Sequence, residues 1–528
     1  MRGPLTLLLV AAALNVLSWI ILIPVWQYPD EQAHFAQVQR VAEVGNSLYG
    51  NSAFDTSREV AISEEILGTA RDGMGNNKFT YHPEAKLTYQ NSQDNPGEHE
   101  ISSLPKSARS EFVKREATVN PPLYYNLAAL VYKLFSWGDL FTRVYAIRIF
   151  SALIFLATVF VAYKIGTLIF KSQHMSLALA SIVATKPMLV FATTGALPDT
   201  LTILLFSIFI LVCLSILQKG WSTLKIGLLI LTIASGAATR QNFLISLAVL
   251  PFVIFHQLIV NKKSRVTQVT TLILTLAALF IASYFVPALD FIHRFDYPES
   301  SRKIPDSPLA NLTYLEHLNW TARHSIAEVW PWFWGVYKWL SLTLPPIVYQ
   351  IINRLVPIAI FGLVIKIFLV IKKRDWQNNA WLFFLIFVVM IYFLALTTFD
   401  FLHRRNNGFS FGIQGRYFFP VIIPILVLIL AGVSKLFETM SQNLAKIGIF
   451  VLTALFFIFN DFSLAYVSSS YYLTSDLATF IKHASQYKPE IFKGYIILVI
   501  ISSTVILQTI FLSTFYRYIM RKTENESS

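Results

Sequence analysis

The sequence is poor in cysteine and in charged residues, and each shortage excludes a class of protein. Among its 528 residues there is one cysteine, Cys213, which lies within an apolar run. A disulfide within the chain, a cysteine-based zinc site and a redox pair are therefore excluded. Charged residues make up 14% of the chain, against about 25% in a typical soluble domain, so an ordinary soluble fold is excluded as well.

Apolar residues are abundant instead, at 55% of the chain, and the mean hydropathy is +0.55. They form runs of about 20 residues, the length that an α-helix needs to cross a bilayer. We therefore predict an all-α polytopic membrane protein with about twelve transmembrane helices. The predicted spans are roughly 4–26, 142–163, 175–194, 198–217, 223–239, 242–260, 266–288, 347–371, 378–399, 417–434, 445–467 and 494–517.

Basic residues set the predicted orientation. The formal net charge is +13, which in a soluble protein would suggest a nucleic acid partner. Here the Lys and Arg residues cluster in short loops between spans, as they do on the cytoplasmic side of membrane proteins. We therefore expect the lipid bilayer and no nucleic acid as a partner. We also expect a multi-pass protein of the plasma (inner) membrane with both termini in the cytoplasm.

Two large loops are predicted on the outer side. The first, 27–141, is rich in acidic residues, and the second, 290–346, is rich in tryptophan. The tryptophan rings form either an interfacial aromatic belt or a wall for a sugar or a lipid tail. We expect an N-terminal transmembrane module at 1–289 that carries the first loop, the aromatic loop at 290–346, and C-terminal transmembrane helices at 347–528.

The first candidate site directly follows the first span, at residues 28–34 (Tyr-Pro-Asp-Glu-Gln-Ala-His). Ionisable groups held at a bilayer surface are costly and commonly functional, and catalysis on a lipid-borne substrate is a common function. If a helix starts at Pro29, Asp30 and His34 share one face, which could hold a base, an acid or a metal. The alternative is that Asp30 only caps the helix. The sequence leaves both open.

Further polar residues are predicted on the same side. Residues 120–125 (Asn-Pro-Pro-Leu-Tyr-Tyr) open an apolar stretch that is too short to span comfortably and is typical of an interfacial helix. Asp199 lies in a tight turn, where it either caps the next span or joins the site. Lys186, inside the third span, is a costly charge that needs a partner unless it snorkels to the surface.

Arg404, Arg405 and Arg416 make one short outer loop basic, against the usual distribution of positive charge. Anionic lipid headgroups are one way to compensate such a loop. A phosphate-binding site is the other, because guanidinium groups bind phosphate oxygens bidentately. Arg240, in another outer turn, should approach the same surface, which favours the phosphate site.

A carboxylate and several arginines on one face of a membrane bundle suit glycosyl transfer from a polyprenyl-phosphate-linked sugar. The carboxylate takes the proton of the acceptor hydroxyl, and the arginines stabilise the departing lipid phosphate. The acceptor, whether glycan, lipid or protein, stays open. Two other functions also stay open: a lipid or polysaccharide transporter or flippase, and a non-catalytic membrane component of cell-surface glycan assembly.

The same residues resemble a known family. The Pro-Asp-Glu…His sequence at 29–34 resembles the opening motif of the GT-C superfamily of polytopic membrane glycosyltransferases. Together with 120–125, Pro198-Asp199 and the Gln-Gly-Arg-Tyr-Phe-Phe-Pro sequence at 414–420, it more closely resembles a bacterial branch of predicted multi-spanning membrane proteins related to that superfamily. In order, these motifs cover nearly the whole chain.

The resemblance implies a GT-C-like bundle and an inverting glycosyltransferase that depends on a polyprenyl-phosphate sugar. It implies that Asp30 is the catalytic carboxylate. In some relatives a second acidic residue helps hold a divalent metal, and Asp199 falls at that place, but as a single Asp rather than an Asp-x-Asp pair. A divalent metal is therefore possible and no cofactor is certain. The candidate residues are Asp30, Glu31 and His34 for catalysis, Tyr124, Lys186, Arg240, Arg404, Arg405 and Arg416 for substrate binding, and Asp30 and Asp199 for metal.

Overall fold

The computed structural model describes residues 3–45, 55–73, 75–87, 95–115, 120–260, 304, 307–472 and 475–521. Helices dominate, and the described strands form two short antiparallel ribbons. The strands are β1 (Asp55–Ser57), β2 (Phe112–Lys114), β3 (Val336–Tyr337) and β4 (Leu342–Thr343). The helices are α1 (Gly3–Leu22), α2 (Glu31–Val44), α3 (Arg58–Leu67), α4 (Pro96–Ser102), α5 (Leu123–Leu134), α6 (Leu140–Phe170), α7 (Gln173–Thr185), α8 (Pro187–Thr194), α9 (Asp199–Lys219), α10 (Thr223–Ala237), α11 (Ile245–Val260), α12 (Tyr314–His324), α13 (Trp330–Trp334), α14 (Pro346–Lys373), α15 (Ala380–Asn407), α16 (Ile422–Glu438), α17 (Gln442–Tyr471), α18 (Leu477–Ala484) and α19 (Ile496–Arg521).

The prediction of an all-α polytopic membrane protein is confirmed. In the part of the chain that the structure describes, nine helices are long and apolar enough to cross a membrane, and the number is ten if the bent pair α7 and α8 is counted as one span. Helix α10 is apolar but shorter. The predicted span at roughly 266–288 lies outside the described residues, so the number of twelve stays a prediction.

One predicted span is broken rather than straight. Helices α7 and α8 meet at an angle of 60° between Lys186 and Pro187. Proline removes a backbone donor and its ring clashes with the preceding turn, which explains the kink. The break places Lys186 inside the bundle, where its side chain is fully buried.

Close packing and polar contacts hold the membrane helices together. Helices α14 and α16 cross at Gly362 and Gly432, where a Cβ on Gly362 would lie 1.9 Å from the Gly432 carbonyl oxygen. Small residues allow this approach, as is common between membrane helices. Asn15 of α1 and Asn460 of α17 exchange amide hydrogen bonds of 3.3 and 2.6 Å. These contacts fix the register between the first helix and a late one.

The polar segments gather at one end of the bundle, which we call the loop face. It carries the described residues of 23–139, 304–345 and 472–495. A buried ion pair ties this region down: the Arg143 guanidinium at the start of α6 donates to both oxygens of Glu59, at 2.5 and 3.0 Å. Gln39 of α2 donates to the same carboxylate at 2.7 Å. The residues that follow α1 are therefore held on a rigid support.

We predict that the loop face is extracytoplasmic. Cys213 is buried, so a single introduced cysteine gives a clean label. Ser103, exposed on the loop face, and Gln377, exposed at the opposite end, form a matched pair. Ser103→Cys should react with an impermeant maleimide in intact cells and Gln377→Cys only after permeabilisation. The reverse pattern would overturn the orientation that the basic loops indicate.

Candidate active site

Asp30 occupies a special backbone position at the loop face. Helix α2 begins one residue later, and Asp30 has the left-handed values φ 56° and ψ 18° with no side-chain cap hydrogen bond. Capping, the simpler explanation from the sequence, is thus not what this carboxylate does. Its Oδ1 accepts from Arg71 at 2.5 Å and its Oδ2 from Arg416 at 2.9 Å. Non-glycine residues adopt this conformation rarely, and such strain often marks a functional site.

The charges around Asp30 decide its protonation state. Burial alone would raise the pKa of this carboxyl group, but the guanidinium groups of Arg416 and Arg71 outweigh burial and hold the pKa well below its usual range. The Asp30 side chain nevertheless keeps 36% of its surface exposed. It is an ionised carboxylate that solvent and a ligand can reach.

His34 lies one turn further along α2, as the predicted helix requires. Its Nδ1 is 2.8 Å from the hydroxyl oxygen of Tyr125. Burial lowers the pKa of His34 to about 3, and the charge of Arg240 acts in the same direction, while Asp30 opposes them. The imidazole is therefore neutral at physiological pH.

Glu31 has a different environment from its neighbour Asp30. Its side chain is fully buried, and Arg148 of α6 donates to its two oxygens at 2.8 and 2.6 Å. The backbone N–H groups of Trp26 and Ala196 also donate to it, at 3.1 and 3.2 Å. The structure therefore places Glu31 in a structural role, linking the end of α1 to α6 and to the turn before α9.

Arg148 also stabilises the end of α1. Its guanidinium donates to the carbonyl oxygens of Ile23 at 2.8 Å and Pro24 at 2.9 Å. A helix end leaves such carbonyls without partners inside the helix. One buried arginine thus fixes both the chain entering the Asp30 turn and the residue directly after Asp30.

We predict that Arg148→Ala destabilises the protein strongly. Removing one partner of a buried ion pair leaves an uncompensated charge and costs about 3–5 kcal/mol. Thermal unfolding of purified protein in detergent should show a large drop. Arg354→Ala, an arginine of α14 that lies outside this network, serves as the control. Unfolding of Arg148→Ala at the wild-type temperature would contradict the structural role of the pair.

The turn before α9 packs against the segment that leads to Asp30. A Cβ on Gly195 would lie 2.7 Å from the Cβ of Tyr28, so the turn can approach only because residue 195 is glycine. Asp199 follows as the first residue of α9, whose N-cap residue is Pro198 rather than Asp199. Its carboxylate pairs instead with Arg240, whose Nε lies 3.1 Å from Oδ1.

Arg416, which contacts Asp30, lies in the C-terminal half of the chain. It lies in a 3-10 turn, Gly415–Val421, and a Cβ on Gly415 would lie 2.1 Å from the Phe333 backbone nitrogen. The turn that carries Arg416 can therefore pack this closely only because residue 415 is glycine. Buried Arg416 Nε has no hydrogen-bond partner among the described residues. The guanidinium thus keeps donor capacity beyond its contact with Asp30.

The sequence predicts Arg404 and Arg405 in the same short outer loop, but the structure places both in the last turn of helix α15. Arg404 Nε donates to Asp400 at 3.1 Å, and its guanidinium lies 3.4 Å from the ring centre of Trp320. Arg405 is exposed. Neither is among the described contacts of Asp30, so Arg416 is the residue of this loop that reaches it.

Lys186 and Tyr124 also lie away from the Asp30 carboxylate. The Lys186 ammonium donates to the Phe333 carbonyl at 2.5 Å and lies 4.0 Å from the centre of the Phe333 ring. The Tyr124 hydroxyl is 2.9 Å from Ser151 Oγ. The next tyrosine, Tyr125, is the one that contacts His34, a distinction that helical periodicity alone did not resolve.

Sequence reasoning missed Arg71, and it named Trp339 only as one ring of the aromatic loop. Arg71 lies in an irregular stretch without a motif, and nothing in the sequence pairs it with Asp30. Trp339 packs over it, with the Arg71 guanidinium 4.6 Å from the ring centre. The Trp339 indole N–H donates to the Trp26 carbonyl at 3.1 Å. At least one ring of the aromatic loop therefore packs on the site.

The predicted metal ligands do not form a metal site in this arrangement. Among the described residues, no group of three or more His, Cys, Asp or Glu side chains could hold a metal ion. Asp30 is bound by Arg71 and Arg416, and Asp199 by Arg240. Carboxylates paired with arginines in this way do not fit a divalent cation, which needs several free oxygen ligands.

A family model described as "Predicted membrane protein (DUF2142)" matches residues 14–426. The chain belongs to this family. The match extends from α1 to the start of α16 and therefore includes Asp30, Arg71, Asp199, Arg240 and Arg416. No curated protein matches the DUF2142 chain.

Solved structures of two membrane enzymes are similar to this DUF2142 chain in overall shape. ArnT from Cupriavidus metallidurans in the apo state has 12% identity and a TM-score of 0.44, covering 97% of this chain and 74% of that one. The same enzyme bound to undecaprenyl phosphate gives a TM-score of 0.43 at 12% identity. The Archaeoglobus fulgidus oligosaccharyltransferase with zinc and sulfate has 13% identity and a TM-score of 0.45, covering 88% and 53%. At these TM-scores the activity has to be inferred from the site itself.

Proposed function

We propose that this protein is a GT-C-type glycosyltransferase that moves a sugar from a polyprenyl-phosphate-linked donor to an acceptor at the extracytoplasmic face of the plasma membrane. The observation that carries the proposal is the Asp30 carboxylate, 36% exposed and bound by both Arg71 and Arg416 at the end of a membrane bundle. A base and a cationic phosphate site are the two groups that this reaction needs.

The donor phosphate and Asp30 use the same partners. Guanidinium groups bind phosphate oxygens as well as carboxylates, and Arg416 Nε has no partner of its own among the described residues. A lipid phosphate arriving at Arg416 and Arg71 therefore competes with the Asp30 carboxylate. Release from one or both arginines raises the pKa of Asp30 and makes it a stronger base. The base becomes active only when the donor is bound.

The transfer step then follows. The acceptor hydroxyl oxygen forms a bond to the anomeric carbon of the donor sugar, and its proton passes to Asp30. The bond between that carbon and the phosphate oxygen breaks, and its electron pair leaves on the phosphate. Arg71 and Arg416 neutralise the charge that develops there. Attack opposite to the leaving phosphate inverts the anomeric centre.

The neighbouring groups hold this geometry in the proposal. Neutral His34 and Tyr125 form a fixed wall beside Asp30, while Glu31 and Arg148 hold the turn on which Asp30 lies. Asp199 keeps Arg240 oriented at the same surface. Arginine charge thus does the work that a divalent metal does in some relatives.

A lipid flippase is the second candidate, because one span is broken and carries a charge. Lys186 lies at the 60° bend between α7 and α8, and broken helices with ionisable residues are typical of transporters. However, this ammonium is bound to the Phe333 carbonyl and covered by the Phe333 ring. The Lys186 side chain is fully buried, so the transferase is favoured.

Lipid analysis of a deletion strain tests the proposal. Loss of the protein should cause a polyprenyl-phosphate sugar to accumulate in the membrane, and a plasmid copy should reverse the accumulation. A copy carrying Asp30→Asn should fail to reverse it although the protein is present in the membrane. An unchanged lipid profile in the deletion strain would contradict the proposed donor.

A further inference from the structure

A polar cavity of about 580 Å³ opens on the loop face next to the site. Ala70 and Asp72 line it, and the residue between them is Arg71, whose guanidinium donates to Asp30 at 2.5 Å. Arg71 therefore connects the segment that lines the cavity to the Asp30 carboxylate. The proposed chemistry at Asp30 does not use any side chain that lines this cavity.

Hydrogen bonds hold the segment that forms the wall of the cavity. A tight turn is closed by Asp72, whose carboxylate accepts from the Asn76 N–H at 2.9 Å. The Asn77 side-chain oxygen Oδ1 accepts from the Phe79 N–H at 2.9 Å, and the Phe79 ring is fully buried. On the far side, Lys338 donates to the Pro83 carbonyl at 2.6 Å. The segment is thus anchored at both ends, and the cavity exists before any ligand arrives.

The lining groups suit a neutral, hydroxyl-rich ligand. They comprise two carboxylates, one ammonium, one imidazole and two amides: Asp72, Asn76, Asn77, Lys78, His82 and Glu84. Each sugar hydroxyl both donates and accepts hydrogen bonds, and this set offers donors and acceptors together. The two carboxylates disfavour an anionic ligand such as the donor phosphate.

We propose that this cavity binds the sugar units of the acceptor and presents its hydroxyl to Asp30. The inference rests on the proposed function, which requires an acceptor next to the base. The lipid-linked donor belongs elsewhere, because its phosphate is attracted to Arg71 and Arg416 and its chain needs the bilayer. The cavity instead opens widely on the loop face, where a ligand can enter from water.

A binding assay that needs no turnover tests this inference. Tyr81, 76% exposed and next to the lining residue His82, is replaced by cysteine and labelled with an environment-sensitive dye in the full-length protein. The probes are neutral mono- and trisaccharides of hexoses and N-acetylhexosamines at about 10 mM, and inorganic phosphate. At least one neutral trisaccharide should shift the fluorescence saturably, and inorganic phosphate should not.

Variants locate the binding. Asn76→Ala removes an amide while keeping the backbone turn, and should weaken saccharide binding about fivefold, the usual effect of one hydrogen bond. Glu84→Ala, which removes a charged acceptor, should weaken it about tenfold or more. Ser103→Ala, exposed on the same face and outside the cavity, should bind like wild type.

The outcomes separate this inference from the proposed function. If no saccharide shifts the dye, or if Asn76→Ala and Glu84→Ala bind like wild type, the cavity is not the acceptor site, even where sugar transfer is observed. If inorganic phosphate binds instead, the cavity is an anion site and the inference is wrong. A saccharide that binds without any detectable transfer supports the cavity and counts against the proposed function alone.

Discussion

Asp30→Asn should lower sugar transfer by about 100- to 10,000-fold, the usual contribution of general-base catalysis. The amide keeps the shape of the side chain and can still accept from Arg71 and Arg416, but it cannot take the proton. Thermal unfolding should therefore change little. The measurement is the rate of product formation by purified protein in proteoliposomes, normalised to the folded fraction.

The neighbouring residues sharpen this test. Asp476→Asn is the matched control, because Asp476 caps helix α18 on the same face and asparagine caps equally well. His34→Ala should reduce transfer less than Asp30→Asn, since its imidazole is neutral and bound to Tyr125. Near-normal turnover by well-folded Asp30→Asn would remove Asp30 from catalysis.

Arg416→Ala should lower kcat/KM for the donor by about 100-fold, in the range found when a group that stabilises developing charge is removed. Arg416→Lys keeps the charge but loses the planar fork, so its loss should be smaller, about tenfold. Donor binding should weaken as well as turnover, because the phosphate is present in both the ground and the transition state. Arg58→Ala, an exposed arginine of the loop face, is the control, and an equal loss there would reduce Arg416 to a general electrostatic effect.

In the proposal Arg71 acts on both the Asp30 carboxylate and the donor phosphate. The pH profile of Arg71→Ala reports its action on Asp30. Arg71 lowers the pKa of Asp30, so removing it destabilises the ionised carboxylate and raises that pKa. Since the protonated acid cannot serve as base, the acidic limb of the profile of kcat/KM against pH should move to higher pH in Arg71→Ala. An unmoved limb would show that Asp30 does not control this profile.

The sequence predicted the membrane helices well, because long apolar runs have few alternative structures. It also predicted that Asp30 and Arg416, 386 residues apart, meet on one face, since both follow from the alternation of spans. It did not predict Arg71, whose position depends on the path of an irregular loop and on packing against Trp339. Local patterns carry no information about such contacts.

The ion pair of Glu31 and Arg148 could have been predicted from the sequence. An arginine inside a long membrane helix such as α6 is costly and requires a partner, and Glu31, the first residue of α2, is an acid close to the end of the first span. Both adjacent carboxylates were candidate catalytic residues in the sequence, yet the Glu31 side chain is fully buried against Arg148 while that of Asp30 is partly exposed. The side-chain environment, which depends on tertiary packing, decides their roles.

The most direct test of the central claim follows the donor itself. Purified protein is reconstituted in proteoliposomes with polyprenyl-phosphate-linked sugars and a cell-envelope acceptor fraction, and the lipids are analysed over time. The proposed chemistry predicts release of free polyprenyl phosphate together with transfer of the sugar, and no release by Asp30→Asn. Donor that changes leaflet but keeps its sugar, at equal rates in wild type and Asp30→Asn, would contradict the transferase and establish the flippase in its place.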